Sequence, residues 1–281
     1  MKQNAIKYIF SAFLFFIFTS VSGNLCFGQS DPVRYLNPVF ETIDIKQDIE
    51  FGEVINFRSK TEKLLLDVYS PAGDSLKNRP AILWIHGGGF RIGNDKSQGY
   101  IVKMASEFAK RGYVCLSIDY RVRNNPKDDK KGTLTDALED AMTGLGWLRN
   151  NAEKLGIDKN KIIIGGGSAG GRIAVNLCYK DQTETKKWDK SGIVGLVDLW
   201  GSPDQSWRMF EVDKNDTPAI IVHGTEDQSV LFANSEQLIK ELESSGVKYE
   251  LVKIEGEGHT PTSHMDDFIV NISHFLYDLI K

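Results

Sequence analysis

From Ala81 onward, short apolar runs alternate with longer stretches whose apolar residues recur every three or four positions. The short runs, at 81–86, 113–119, 161–165, 194–200, 219–223 and 249–254, predict strands. Several are apolar without alternation, as in a strand buried on both faces. The longer stretches predict helices over 98–111, 134–155, 169–179, 231–245 and 265–280. Upstream, 49–58 and 64–70 read as an antiparallel pair around a polar turn at 59–62. Residues 29–48 contain Pro32 and Pro38, show no period, and are expected as an N-terminal leader over the surface. Gly144 and Gly146 lie inside the longest predicted helix and are expected to bend it. Strands alternating with helices predict an α/β fold, a mostly parallel sheet with helices on both faces.

The first 28 residues break this pattern. Lys2 and Lys7 are their only charges, 8–18 is almost wholly apolar, and small residues follow at 20–23 and 28. That is the three-part layout of a secretory signal peptide, with an apolar core short for a membrane span. Gly23 and Gly28 both fit as the residue before cleavage, and nothing resembling a lipidation box precedes Cys26. The expected organisation is a signal peptide over 1–28, the leader over 29–48 and one domain over 49–281, secreted or periplasmic. An uncleaved anchor is the competing reading. Removing a segment with two lysines and no acids takes the net charge from −4 to −6. A mildly acidic chain without a basic run has no footprint for nucleic acid. After cleavage no apolar stretch remains that could hold the chain in a bilayer. Cys115 and Cys178 are expected as buried free thiols. No Cys/His cluster has metal-ligand spacing, and no metal or cofactor is expected.

Chemistry concentrates at a few turns. Gly166-x-Ser168-x-Gly170 stands between the predicted strand 161–165 and the helix that follows. Such a turn holds a serine in a strained conformation at the edge of a sheet. Taken alone, the pentapeptide is equally a glycine-rich turn with an incidental serine. His86-Gly87-Gly88-Gly89-Phe90, far rarer by composition, directly follows another strand. Consecutive glycines let the backbone approach a substrate and aim N–H groups at a developing oxyanion. The serine needs a base. Among five histidines, His86 and His223 are expected to be structural, and His274 to lie at the surface or in packing. His259, on the loop past the last strand, is the expected base, with His264 as the alternative. Asp227, just past a strand, is the expected acid, with Glu226 as its rival. The order Ser…Asp…His, each past a different strand, is that of a hydrolase built on a doubly wound sheet.

Together these segments resemble the α/β-hydrolase superfamily, and within it the HGGG-bearing esterases similar to hormone-sensitive lipase and to bacterial secreted carboxylesterases. The resemblance covers about 51–281 and includes Asp119-Tyr120-Arg121. It implies an eight-stranded sheet with the second strand antiparallel. It also implies Ser168 as nucleophile, His259 as base, Asp227 as orienting acid, and an oxyanion hole from the N–H groups of Gly88, Gly89 and Ala169. The departure is the cap. Only 18 residues separate Trp200 from Ala219, room for a loop and a helical turn near Trp207. An open cleft is implied, suited to small-molecule or carbohydrate esters carrying acetyl or feruloyl groups. Phe90, Trp200 and Trp207 are expected to line it. Two other readings remain: a prolyl-oligopeptidase-like peptidase, which usually carries a gating domain, and a non-catalytic binding protein on the same fold.

Overall fold

Fully apolar runs in the middle of the chain become the centre of a sheet. The structure, a computed structural model, describes residues 31–180 and 188–281, so the predicted signal peptide lies outside the described residues. The strands are β1 (Ile43–Ile55), β2 (Thr61–Pro71), β3 (Arg79–Ile85), β4 (Val114–Ile118), β5 (Ile157–Gly167), β6 (Ile193–Leu199), β7 (Ala219–Gly224) and β8 (Tyr249–Ile254). They form one sheet in the order β1-β2-β4-β3-β5-β6-β7-β8. β2 runs antiparallel to β1 and β4, and every other pairing is parallel. Every residue of β3, β4 and β7 is buried, as strands covered on both faces require.

Helices α1 (Gly99–Lys110) and α6 (Met265–Ile280) pack on one face through Ile101, Met104, Phe108, Phe268, Ile272 and Phe275. On the other lie α2 (Lys130–Asn150), α3 (Ala152–Leu155), α4 (Ala169–Tyr179) and α5 (Phe232–Ser245). Residues Pro32–Lys281 form one compact unit. Cys115 and Cys178 are buried free thiols, one in each layer. Among the described residues, no helix is long and apolar enough to cross a membrane.

The largest shifts from the predicted boundaries are in β1, α2 and β5, the last beginning at Ile157, four residues before the predicted 161. β1 begins at Ile43, six residues before the predicted Ile49, so the leader ends earlier. Irregularities after Lys46 and Glu50, and a positive φ of 56° at Asp48, break the alternation that reveals a strand in sequence. The remaining leader is tied to the end of α1, where Tyr35 N–H donates to Arg111 O and Phe40 N–H to Lys110 O. α2 begins at Lys130, capped by Asp129, which accepts from Gly132 N–H at 2.8 Å. It runs unbroken through Gly144 and Gly146 and stops at Asn151. Gly144 does not break the helix. It lets the backbone settle onto β4, where an added Cβ would meet Ile118 at 3.3 Å.

Candidate active site

β5 ends at Gly167 and α4 begins at Ala169, leaving Ser168 alone in the turn with φ 55° and ψ −116°. Non-glycine residues seldom adopt this conformation, and it is held here by its surroundings. Gly170 shows how tight they are. A Cβ there would lie 2.0 Å from Ile85 O and 2.5 Å from His86 O, both backbone atoms that cannot step aside. Gly170→Ala is expected to cost about 3 kcal/mol or more, at the upper end of overpacking, and to be visible as a lower denaturation midpoint.

Three side chains from separate turns meet at Ser168. His259 Nε2 lies 2.8 Å from Ser168 Oγ, and His259 Nδ1 lies 2.7 Å from Asp227 Oδ2. Asp227 is buried and Glu226 exposed, so only the former faces the imidazole. His264 faces Glu257 at 3.1 Å, and His274 is exposed on α6. Asp227 Oδ1 accepts the N–H groups of Ser229 (2.7 Å) and Val230 (3.0 Å). Burial alone would raise its pKa, but hydrogen bonds from His223, His259 and these two amides hold it well below the usual carboxylate value.

His223 is structural, as expected, but its place behind Asp227 was not legible in the sequence. Its Nε2 lies 3.0 Å from Asp227 Oδ2 and 2.9 Å from Val230 O. A carbonyl only accepts, so Nε2 carries a proton and donates to both. Nδ1 lies 2.7 Å from Ser235 Oγ, which lies 2.7 Å from Ser202 Oγ, which lies 2.5 Å from Asp198 Oδ2. All five residues of this row, from Asp198 to Asp227, are buried. Asp198 closes the row at its far end, where burial raises its pKa. The carboxylate beside His259 is thus braced from behind by a second imidazole. His223→Phe is expected to orphan Ser235 and one acceptor of Asp227. Each buried unpaired group costs about 1–3 kcal/mol, a loss read by chemical denaturation.

The glycine loop after β3 lies across from this row. Gly88 and Gly89 have φ of 94° and 64°, and in the described residues neither N–H is spent on an internal hydrogen bond. The N–H of Ala169, first in α4, has no helical carbonyl a turn earlier. His86 braces the loop. Its Nδ1–H donates to Gly87 O at 2.8 Å, its ring stacks on Tyr120 at 4.3 Å, and burial lowers its pKa to about 4. Tyr120 Oη–H donates to His86 O at 3.1 Å, while its neighbour Arg121 grips Asp140 at 2.8–3.0 Å. The Asp119-Tyr120-Arg121 segment thus anchors the loop from below.

Gly88, Gly89, Ser168 and His259 open into a cavity of about 440 Å³. Phe90 and Trp207 back its wall, both buried and stacked at 4.8 Å with planes 8° apart. Trp200, expected beside them, does not line the cavity. Its backbone turns with φ 45°, and the indole packs between Tyr100 and Phe268 in the opposite layer. Between β6 and β7 there is one short turn, Gln205–Trp207, and no cap.

A serine at a strand-to-helix turn, an imidazole between it and a buried carboxylate, and free loop amides facing it define the machinery of a serine hydrolase. Similarity to known proteins follows the same line. The BD-FAE family model matches residues 66–204, and the prolyl oligopeptidase family model matches 197–281. Esterase LipC of Mycobacterium tuberculosis is 25% identical in a 259-residue alignment covering 75% of this chain and 62% of that protein. The isoprenylcysteine alpha-carbonyl methylesterase ICME of Arabidopsis thaliana is 29% identical over 238 residues, 69% of this chain and 53% of that protein. The chain thus spans less than two thirds of either relative. Esterase 2 of Thermogutta terrifontis, in its paraoxon-phosphorylated structure, superposes with a TM-score of 0.67 at 25% identity, covering 86% of this chain and 95% of that one. The chain belongs to the α/β-hydrolase superfamily.

Proposed function

We propose that this chain is a serine carboxylesterase working through an acyl-enzyme. The observation that carries the reading is the continuous contact from Ser168 Oγ through His259 to Asp227, at the mouth of the glycine-lined cavity. As Ser168 Oγ attacks the ester carbonyl, His259 Nε2 takes its proton, and Asp227 stabilises the imidazolium through Nδ1. The carbonyl oxygen moves toward the N–H groups of Gly88, Gly89 and Ala169 as it becomes an oxyanion. His259 then protonates the departing alkoxide. Water, deprotonated by the same nitrogen, releases the acid. Esters are favoured as substrates because the similar proteins above are named as esterases.

The finer reading is an exported enzyme acting on short acyl or aryl esters, such as acetylated or feruloylated carbohydrate. The layout of residues 1–28 supports export. The short β6–β7 connection and the Phe90–Trp207 wall suit a bulky or aryl substrate. Hydrolysis of p-nitrophenyl esters from acetate to decanoate, beside acetate and ferulate release from substituted xylan, tests both levels. Turnover of the chromogenic esters without release from xylan removes the carbohydrate reading and leaves the carboxylesterase. Cleavage of peptide-nitroanilides with no ester turnover replaces it by a peptidase, the activity suggested by the match over 197–281. Failure to react with a fluorophosphonate probe points instead to a binding protein. Sequencing the N-terminus of protein recovered from the medium or periplasm tests export.

A further inference from the structure

The chain as a whole is acidic, with 38 carboxylates against 34 basic side chains. The cavity at Ser168 is the reverse. Arg91, Lys127 and Arg172 line it, and among the described residues no aspartate or glutamate does. Arg91 and Lys127 are exposed at its rim. Arg172 is deeper, its side chain only 13% exposed.

Among the described residues Arg172 is also without a hydrogen-bonding partner. Its guanidinium makes no hydrogen bond among the described residues, and Nε is buried with none. The nearest carboxylate, Asp204, is 3.9 Å away. Its Cζ lies 5.4 Å from the centre of the Trp207 ring, a cation–π contact. The other well-buried arginines are different. Arg79 donates to Asp74 and Leu155 O, Arg111 to Glu107, and Arg121 to Asp140. Burying a charge without a hydrogen-bonded partner disfavours folding, and burial lowers the pKa of Arg172, partly offset by Asp204. Position gives the charge a use. Arg172 stands one helical turn beyond Ser168, its N–H donating to Ser168 O at 3.0 Å.

We infer that the cavity contains an anion subsite centred on Arg172, and that the natural substrate is an ester carrying a carboxylate or sulfate near the scissile bond. The substrate part of this rests on the carboxylesterase reading above. The planar guanidinium offers a two-pronged grip on such a group. Arg91 and Lys127 at the rim would draw it in.

The test compares kcat/KM within two matched pairs, monomethyl against dimethyl adipate and acetylated glucuronate against acetylated glucose. It uses the wild type, Arg172→Met and Arg172→Lys. The wild type is expected to prefer the anionic member of at least one pair by roughly 10- to 100-fold, the range for a hydrogen bond to a charged group. That preference should collapse in Arg172→Met, return in part in Arg172→Lys, and shrink with added salt. Near-equal rates in both pairs, or a preference that survives Arg172→Met, overturns the inference. Calorimetric titration of adipate into Ser168→Ala separates this inference from the reading beneath it. Arg172-dependent binding in a protein whose wild type hydrolyses neither these pairs nor any p-nitrophenyl ester sustains the subsite and rejects the esterase. No binding there rejects the subsite.

Discussion

Ser168→Ala is expected to lower kcat on any ester this protein turns over by about 10⁶-fold, the loss seen when a serine hydrolase loses its nucleophile. The residual rate should match a double variant that also lacks His259, because the two act as one unit. Steady-state kinetics on p-nitrophenyl esters reads both numbers. The same position carries a second expectation. Ser168 holds φ 55° and ψ −116°, a conformation costly for any residue with a Cβ. Alanine keeps that strain and glycine relieves it. Ser168→Gly should therefore be as inactive as Ser168→Ala yet about 1 kcal/mol more stable by urea denaturation. Equal stability would mean that the turn is not strained.

Asp227→Asn is expected to lower kcat/KM by about 10⁴-fold, as when the orienting acid of a serine triad loses its charge. The hydrogen bonds here make the substitution worse than neutralisation alone. Oδ2 faces two imidazoles and Oδ1 faces two backbone N–H groups. An asparagine has one oxygen and one NH₂. Whichever way it turns, NH₂ confronts two donors. Folding stability should fall as well, by a few kcal/mol for the unpaired groups. The pH dependence follows from the direction of the shift. Asp227 is held below its unfolded value of about 4, so its contribution is complete above that pH and fades as pH falls toward its folded value. Asp227→Asn should remove that part of the acid limb, measured as denaturation midpoints between about pH 5 and 2.

What could be read along the chain was what contiguous residues decide. The glycines around Ser168 and after His86 impose their turns locally, and apolar runs announced β3, β7 and the second half of β5. Asp227 and His259 were readable because each follows directly on a strand. The row behind Asp227 was not. Asp198, Ser202, His223 and Ser235 come from β6, the loop after it, β7 and α5, and only the packing of α5 on the sheet joins them. Nothing in His223-Gly-Thr-Glu-Asp227 distinguishes a bracing imidazole from a buried one. The direction of Trp200 rests on one backbone angle, and the lack of a hydrogen-bonded partner for Arg172, among the described residues, on where the fold sets its neighbours. β1 was misjudged in length because an exposed edge strand with irregular pairing needs no apolar alternation.

The four hydrogen bonds on Asp227 also fix when the disorder of this site is lost. A carboxylate with both oxygens doubly occupied has a single orientation, and the imidazole of His259 is set by it. The rotational entropy of both side chains is therefore surrendered once, as the chain folds and the loop after β7 closes, and not again with each substrate. Binding then needs no ordering of the proton-transfer groups.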